Sequence, residues 1–345
     1  MDTATFKLAN GYTPLSLSSP NFILPEDKRP FLSQVPSLDS IPIINMNEDP
    51  ESLIKKVSQA CEEYGFFQVI NHGVSEELCT RMMNAVSDFF DLPPQERGTL
   101  FTDDKTKPVR VSNYHIKGKG EEKVTMWSET FVHPWHPVDE FTHLLPQNPP
   151  QYRGVVAEYA KEIGVLMSRL LSLISNGLGL DKDCLETRIG ENPRLVTQAN
   201  YYPPCPDPEL TLGLPVHTDF NALTILMQSQ GLIGLHVIKD GKWVAVDPIP
   251  NAFVINLGDQ IQVLSNGRYK SVHHRAVTNK ELPRISIAMF YGPNKDTMIG
   301  PIDDLVDEKE HPPLYGSYLF ADFLAEFHKQ EGTRRMVKEV FQLQH

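Results

Sequence analysis

After about residue 194 the chain breaks into short apolar runs at close spacing: "LVTQANYY", "LTILMQ", "GLHVI", "KWVAVDP", "AFVINLG", "QVLSNG", "SVHHRAVT" and "RISIAMFYG". Glycine, proline or Asn-Gly turns separate them. Short β-rich runs so evenly spaced predict an all-β barrel or a double-sheet jelly roll.

The preceding half follows another pattern. Residues 1–37 contain proline and serine without periodicity and predict an extended lead-in. "IPIINM" (41–46) predicts a short buried strand. In "DPESLIKKVSQACEEYG" (49–65), Leu53, Val57, Ala60 and Cys61 recur at helical spacing, and Gly65 ends the run. "FFQVINHG" (66–73) predicts a strand closed by a turn, and "SEELCTRMMNAVSDFFDLP" (75–93) a helix with Ser75 as its N-cap. The polar, lysine-rich 102–125 stretch, with Lys117, Lys119 and Lys123, predicts a solvated loop. A long amphipathic helix is expected over 149–179 and a C-terminal helix over 318–342. The expected organisation is an extended segment (1–37), a helix-rich part (38–150), a long helix and its connection (151–193), the β core (194–295) and a helical end (296–345).

The formal net charge of −12 over 345 residues argues against nucleic acid and anionic membrane surfaces as partners. Cys61, Cys79, Cys184 and Cys205 show no CxxC spacing, so no disulfide framework or zinc knuckle is readable. The start "MDTATFKLANGY" has no charged segment followed by an apolar one, and no apolar run has the length of a membrane span. The expectation is a reduced, monomeric protein of the cytoplasm.

One run carries an anomaly. "LPVHTDFNALTIL" (214–226) places His217 and Asp219 within an apolar stretch. An unpartnered buried carboxylate is costly. Residues i and i+2 of a strand share a face, so both can hold one divalent metal, which neutralises the carboxylate and engages the imidazole. Spacing leaves two candidates for a third ligand, His273 or His274 in "YKSVHHRAVTN". Two histidines and one carboxylate make the facial triad of non-haem Fe(II) oxygenases. Further on, Arg284, Ser286, Ala288 and Phe290 alternate onto one face of "PRISIAMFYGP". A guanidinium aimed inward needs an anionic partner, and its fork of donors suits a carboxylate. "NYYPPC" places Asn200, Tyr201 and Tyr202 on a strand shortly before the metal motif. His72 in "INHG" suits a structural turn. Pro134 and Pro137 break any helical face that would gather His133, His136 and His143. Asp259 in "NLGDQ" suits support of a turn.

"NYYPPCPDPELTLGLPVHTDFNALTIL", "FVINLGDQIQVLSNGRYKSVHHRAV" and "RISIAMF" closely resemble the plant Fe(II)/2-oxoglutarate-dependent dioxygenases, and "IPIINM…ACEEYGFFQVINHGV" extends the resemblance to about residue 40. The resemblance implies an α+β protein with a double-stranded β-helix (jelly-roll) barrel core and flanking helices. It implies His217, Asp219 and His274 as iron ligands, with His274 chosen by the His-Arg pair it forms with Arg275. Arg284 and Ser286 would then hold the distal carboxylate of 2-oxoglutarate, assisted by Tyr202 and Asn200, with O2 as co-substrate and ascorbate as reductant. The substrate pocket would include Thr130, Phe131, Val132, Phe220 and Phe290. These mostly apolar residues favour a hydrophobic small molecule such as a flavonoid, phenolic, alkaloid or terpenoid. Hydroxylation coupled to conversion of 2-oxoglutarate to succinate and CO2 is the expected reaction; desaturation, epoxidation or demethylation are alternative outcomes. Three rival readings are distinguishable. An iron oxidase like aminocyclopropane-carboxylate oxidase or isopenicillin N synthase would release no succinate. A cupin-like binding protein would consume no oxygen. A zinc hydrolase on the same three ligands would work with zinc and not with iron.

Overall fold

The computed structural model describes residues 6–11, 13–35, 41–117, 122–307, 309–330 and 336–344. Capping residues set the first helices. The Asp49 side chain accepts from Ser52 N and opens α1 (Pro50–Glu63), and Ser75 accepts from Leu78 N and opens α2 (Glu76–Asp91). The remaining helices are α3 (Pro94–Gly98), α4 (Val138–Phe141), α5 (Tyr152–Gly177), α6 (Cys184–Ile189), α7 (Asp259–Leu264) and α8 (Phe320–Lys329).

The strands of the N-terminal half are β1 (Ile43–Asn45), β2 (Phe66–Ile70), β3 (Arg110–Ser112), β4 (His115–Lys117), β5 (Lys123–Thr125) and β6 (Glu129–Pro134). The central strands are β7 (Arg194–Tyr202), β8 (Leu214–His217), β9 (Leu223–Gln228), β10 (Leu235–Lys239), β11 (Lys242–Val246), β12 (Phe253–Leu257), β13 (His274–Ala276) and β14 (Arg284–Gly292), followed by the short β15 (Met298–Ile299) and β16 (Tyr318–Leu319).

The expected double-stranded β-helix or jelly-roll barrel is corrected by the pairing of these strands. Among the described residues they form an open eight-stranded mixed sheet, ordered β1-β2-β12-β9-β14-β7-β6-β3, and an open four-stranded sheet, ordered β11-β10-β13-β8. Neither closes. Strands from the N-terminal half extend the large sheet on both sides of β12-β9-β14-β7, and its edges are the three-residue strands β1 and β3. The α+β class stands. The small sheet packs on the large one through Leu235, Val237, Val244 and Val246 against Phe66 and Val254.

Cross-strand register assigns the two faces of the large sheet. Val111, Phe131, Ala199, Ile287 and Met227 form one row across it and Met289, Ile225, Ile255 and Phe67 the next, and both rows join the main core, where α5 lies against α1 and α2. The opposite face carries Arg110, Val132, Gln198, Ala288 and Leu226 in one row and Ser112, Thr130, Asn200, Ser286 and Gln228 in the next.

Three further expectations are revised. The 102–125 stretch holds three strands, because "VRVS" and "HIK" alternate β-formers with polar residues despite the lysines. Lys119 lies outside the described residues. The 1–37 segment is anchored rather than merely extended. Leu8, Leu15, Phe22 and Leu24 are buried, and Ala9 N donates to Glu129 Oε2 at 2.6 Å, an acid whose Oε1 takes Arg97 Nε at 2.6 Å. The C-terminal helix is shorter than 318–342: α8 ends at Lys329, Val337–Phe341 forms a 3-10 turn, and 331–335 lie outside the described residues.

Candidate active site

β8 ends on His217, and β13 begins on His274, directly opposite in register. Asp219 follows two residues beyond β8. Ligand atoms of His217, Asp219 and His274 all lie within 4.8 Å of one another. Asp219 Oδ1 is 3.7 Å from His217 Nε2 and 3.6 Å from His274 Nε2. Its other oxygen, Oδ2, accepts from Thr224 Oγ1 at 2.6 Å and Asn256 Nδ2 at 2.7 Å. The carboxylate is therefore held from behind and presents one oxygen to the two rings.

The imidazoles are oriented in the same manner. His217 Nδ1 is 2.7 Å from Pro215 O and His274 Nδ1 is 3.1 Å from Val272 O. A carbonyl only accepts, so each Nδ1 carries a proton and each Nε2 faces the carboxylate. Burial and then the His217 ring push the His274 pKa down to about 4. Burial alone would raise the Asp219 carboxyl. The His274 and His217 rings and the Thr224 and Asn256 donors reverse this and hold it below the usual range. Two imidazoles and one carboxylate thus converge, a donor set that fits a divalent transition metal with its second coordination layer in place.

Arg284 starts β14 of the large sheet, on the face that carries Ser286 and Ala288. It is 3% exposed. Its Nη2 donates to Gln228 Oε1 at 2.8 Å, while Nε and Nη1 are buried without partners. Gly234 makes room for it, since a Cβ there would lie 2.3 Å from Arg284 Cδ and Nε. Gly213 does the same for Tyr202, where a Cβ would come within 2.4 Å of the ring. Tyr202 OH lies 3.3 Å from Ser286 Oγ, which Asn200 Nδ2 approaches at 3.5 Å. Thr130 Oγ1 donates to Asn200 Oδ1 at 2.9 Å. A buried guanidinium with two unmatched donors beside hydroxyls has the chemistry to receive an anion with two oxygens, the form of a carboxylate end.

Of the expected pocket residues, Thr130, Val132 and Phe290 share this face. Phe220 follows Asp219 and packs on the Phe327 ring at 4.8 Å. Phe131 does not belong with them. Strand alternation turns it to the other face, where its ring stacks on Phe89 at 4.1 Å. His72 Nε2 bonds Asn251 O at 2.9 Å in its turn, and His133 bonds Tyr152 OH at 2.9 Å in the core. Asp259 supports its turn through Lys338 and Thr218. Sequence reasoning missed Thr224, Asn256 and Gln228. The available signal was a polar residue inside an apolar strand, as in "AFVINLG", whose Asn256 pairs in register with Thr224.

Such a site defines a non-haem iron oxygenase. The 2OG-Fe(II) oxygenase superfamily model matches residues 193–293, and the model "non-haem dioxygenase in morphine synthesis N-terminal" matches residues 41–152. The chain is 42% identical over 311 residues to the protein DOWNY MILDEW RESISTANCE 6 of Arabidopsis thaliana, covering 89% of this chain and 90% of that one. It is 38% identical to Flavanone 3-dioxygenase 2 of Oryza sativa subsp. japonica, with 93% of each covered. A crystal structure of JOX2 in complex with 2OG, Fe and JA superposes with a TM-score of 0.85 at 34% identity, covering 96% of this chain and 95% of that one. The chain belongs to the plant Fe(II)- and 2-oxoglutarate-dependent dioxygenase family. It is an enzyme that binds Fe(II) and 2-oxoglutarate, and its activity is 2-oxoglutarate-dependent hydroxylation. Among the described residues no helix is long and apolar enough to cross a membrane.

Proposed function

We propose that this enzyme hydroxylates a hydrophobic small-molecule plant metabolite, with O2 as co-substrate and ascorbate keeping the iron reduced. The observation that carries the reading is the presence together of the His217–Asp219–His274 cluster and the buried, half-satisfied Arg284. When bound, iron supplies the redox chemistry that couples decarboxylation of the 2-oxo acid to oxidation of a C–H bond. Every other role falls to the chain. His217 and His274 through Nε2 and Asp219 through Oδ1 would hold the iron. Arg284 Nε and Nη1 with Ser286 Oγ, helped by Tyr202 and Asn200, take the distal carboxylate of 2-oxoglutarate and so aim its 2-oxo acid end at the metal. Val132, Ala288, Phe290 and Phe220 give the organic substrate an apolar wall and keep water away.

The named relatives include Flavanone 3-dioxygenase 2 and Hyoscyamine 6-dioxygenase, and the JOX2 crystal contains JA. Their chemistry agrees with a small organic substrate of largely apolar character. The test is turnover of a plant metabolite extract with Fe(II), 2-oxoglutarate and ascorbate. A substrate should gain one oxygen by mass, with one succinate formed per product. Product without succinate would assign the chain to the oxidases that dispense with 2-oxoglutarate.

A further inference from the structure

A pair of arginines lies on the face that carries Arg284, away from it along the sheet. Arg284 is in register with Tyr202 at one end of β7, and Arg194 stands at the other end, opposite Gly292. Eight residues of strand at about 3.3 Å each separate the two positions by roughly 26 Å. A five-carbon diacid anchored at Arg284 does not reach Arg194. The Arg194 guanidinium lies 5.4 Å from the Phe220 ring centroid and donates to Asn221 Oδ1 at 3.3 Å, immediately after the Asp219 ligand. Arg110 comes from β3. It lies opposite Val132, which lies opposite Gln198. Tyr114 OH donates to Gln198 Oε1 at 2.9 Å between them.

Neither Arg110 nor Arg194 forms an ion pair with a carboxylate among the described residues. Asp104, whose charge Arg110 feels, is exposed and turned onto Thr106, from whose N and Oγ1 it accepts at 2.9 and 2.7 Å. Both arginines are part-buried, and each is held below the usual guanidinium range chiefly by burial; at Arg194 the Arg110 charge is the next cause. Two guanidiniums that repel each other in a part-buried site are relieved by an anion between them.

The geometry points to Arg110 and Arg194, with Tyr114 and Gln198, as the site that takes a carboxylate group of the organic substrate while its apolar body lies along Val132, Ala288, Phe290 and Phe220. This rests on the proposed hydroxylase reading and narrows its substrate class to apolar carboxylic acids. Arg194 fixes the acid end beside Phe220, and the bond to be oxidised is the one that the apolar body then brings past Asp219.

The probe set is benzoic, cinnamic and dodecanoic acid, each beside its methyl ester. Binding to the full-length protein loaded with Mn(II) and 2-oxoglutarate is read by tryptophan fluorescence. At least one acid should bind about tenfold tighter than its ester. Arg110→Gln and Arg194→Gln should each remove that preference, whereas Arg194→Lys, which keeps the charge, should retain part of it. Thermal melting shows that each variant is folded. A set in which no acid outbinds its ester, or in which both glutamine variants keep the preference, overturns the inference. Binding of 2-oxoglutarate, measured separately by calorimetry on the parent protein, tells the two levels apart. If it is present while the acid preference is absent, only this inference fails. If it is absent, the hydroxylase reading fails as well.

Discussion

Lys338 Nζ donates to Asp259 Oδ1 at 3.0 Å, and both side chains are buried. The other Asp259 oxygen accepts from Thr218 Oγ1 at 3.1 Å, and Asp259 N donates to Asp219 O at 2.7 Å. Thr218 stands between His217 and Asp219, two members of the candidate metal cluster. The 3-10 turn near the end of the chain is therefore fastened to the loop that carries half of the metal site. Removing one member of a buried ion pair costs about 3–5 kcal/mol, because the other is left uncompensated. Lys338→Met should lower the melting temperature and weaken Fe(II) binding together. Adding Asp259→Asn should recover part of the stability. Melting and iron titration check both effects, and an unchanged iron affinity in a destabilised protein would show that the pair holds the fold without shaping the site.

Only one of the adjacent histidines 273 and 274 faces the carboxylate. His274 Nε2 is 3.6 Å from Asp219 Oδ1, and strand alternation sends the preceding side chain the other way. His217→Ala, Asp219→Ala and His274→Ala should each abolish iron binding and turnover. His273→Ala should leave both mostly intact. Metal content after reconstitution decides it, and the reverse pattern for residues 273 and 274 would mean a register one residue off.

Arg284→Lys should raise the KM for 2-oxoglutarate by about tenfold or more, since an ammonium cannot reproduce the two-pronged contact with a carboxylate. The loss should appear in binding calorimetry of 2-oxoglutarate and leave iron affinity alone, because Arg284 bonds Gln228 and none of the ligands. Equal affinities in parent and variant would place the co-substrate elsewhere.

The His217–Asp219–His274 cluster and the buried Arg284 were legible because polar residues in apolar strands have few physical excuses. His217, Asp219, Arg284 and Ser286 each stood out on that ground. Helices α1, α2 and α5 were legible from their spacing and, for α2, from Ser75. Sheet closure was not. Local alternation states which residues share a face but not which strands pair, and β3, which with β6 extends the large sheet, lies in a stretch whose lysines disguised it. Phe131 was misplaced for a related reason. Its neighbours Thr130 and Val132 point to the site, and a contiguous trio on a strand cannot all share one face. Lys338 had no signal, because its partner lies 79 residues earlier and only the fold brings them together.

Two buried histidines away from the candidate metal cluster contribute to the pH response of stability. His133 Nδ1 donates to Pro134 O at 2.6 Å, so its Nε2 accepts from Tyr152 OH at 2.9 Å and the ring is neutral with both nitrogens satisfied. His236 Nδ1 lies 3.3 Å from Arg275 Nη2, which can only donate, so this ring too is neutral at that nitrogen. Burial pushes each from 6.5 to about 4, with Arg275 adding to the effect at His236. The sign follows from proton counting. As pH falls below about 6.5 the unfolded chain takes up protons that the folded chain refuses until about 4, so stability rises with pH across that window. The folded state should be most stable above this window and lose on the order of a few kcal/mol between its upper and lower ends. His133→Gln keeps a hydrogen-bonding side chain but removes one titrating group. Its melting temperature should therefore fall less than that of the parent between about pH 7 and about pH 5. Parallel falls in the two proteins would mean that His133 does not titrate on unfolding as its burial requires.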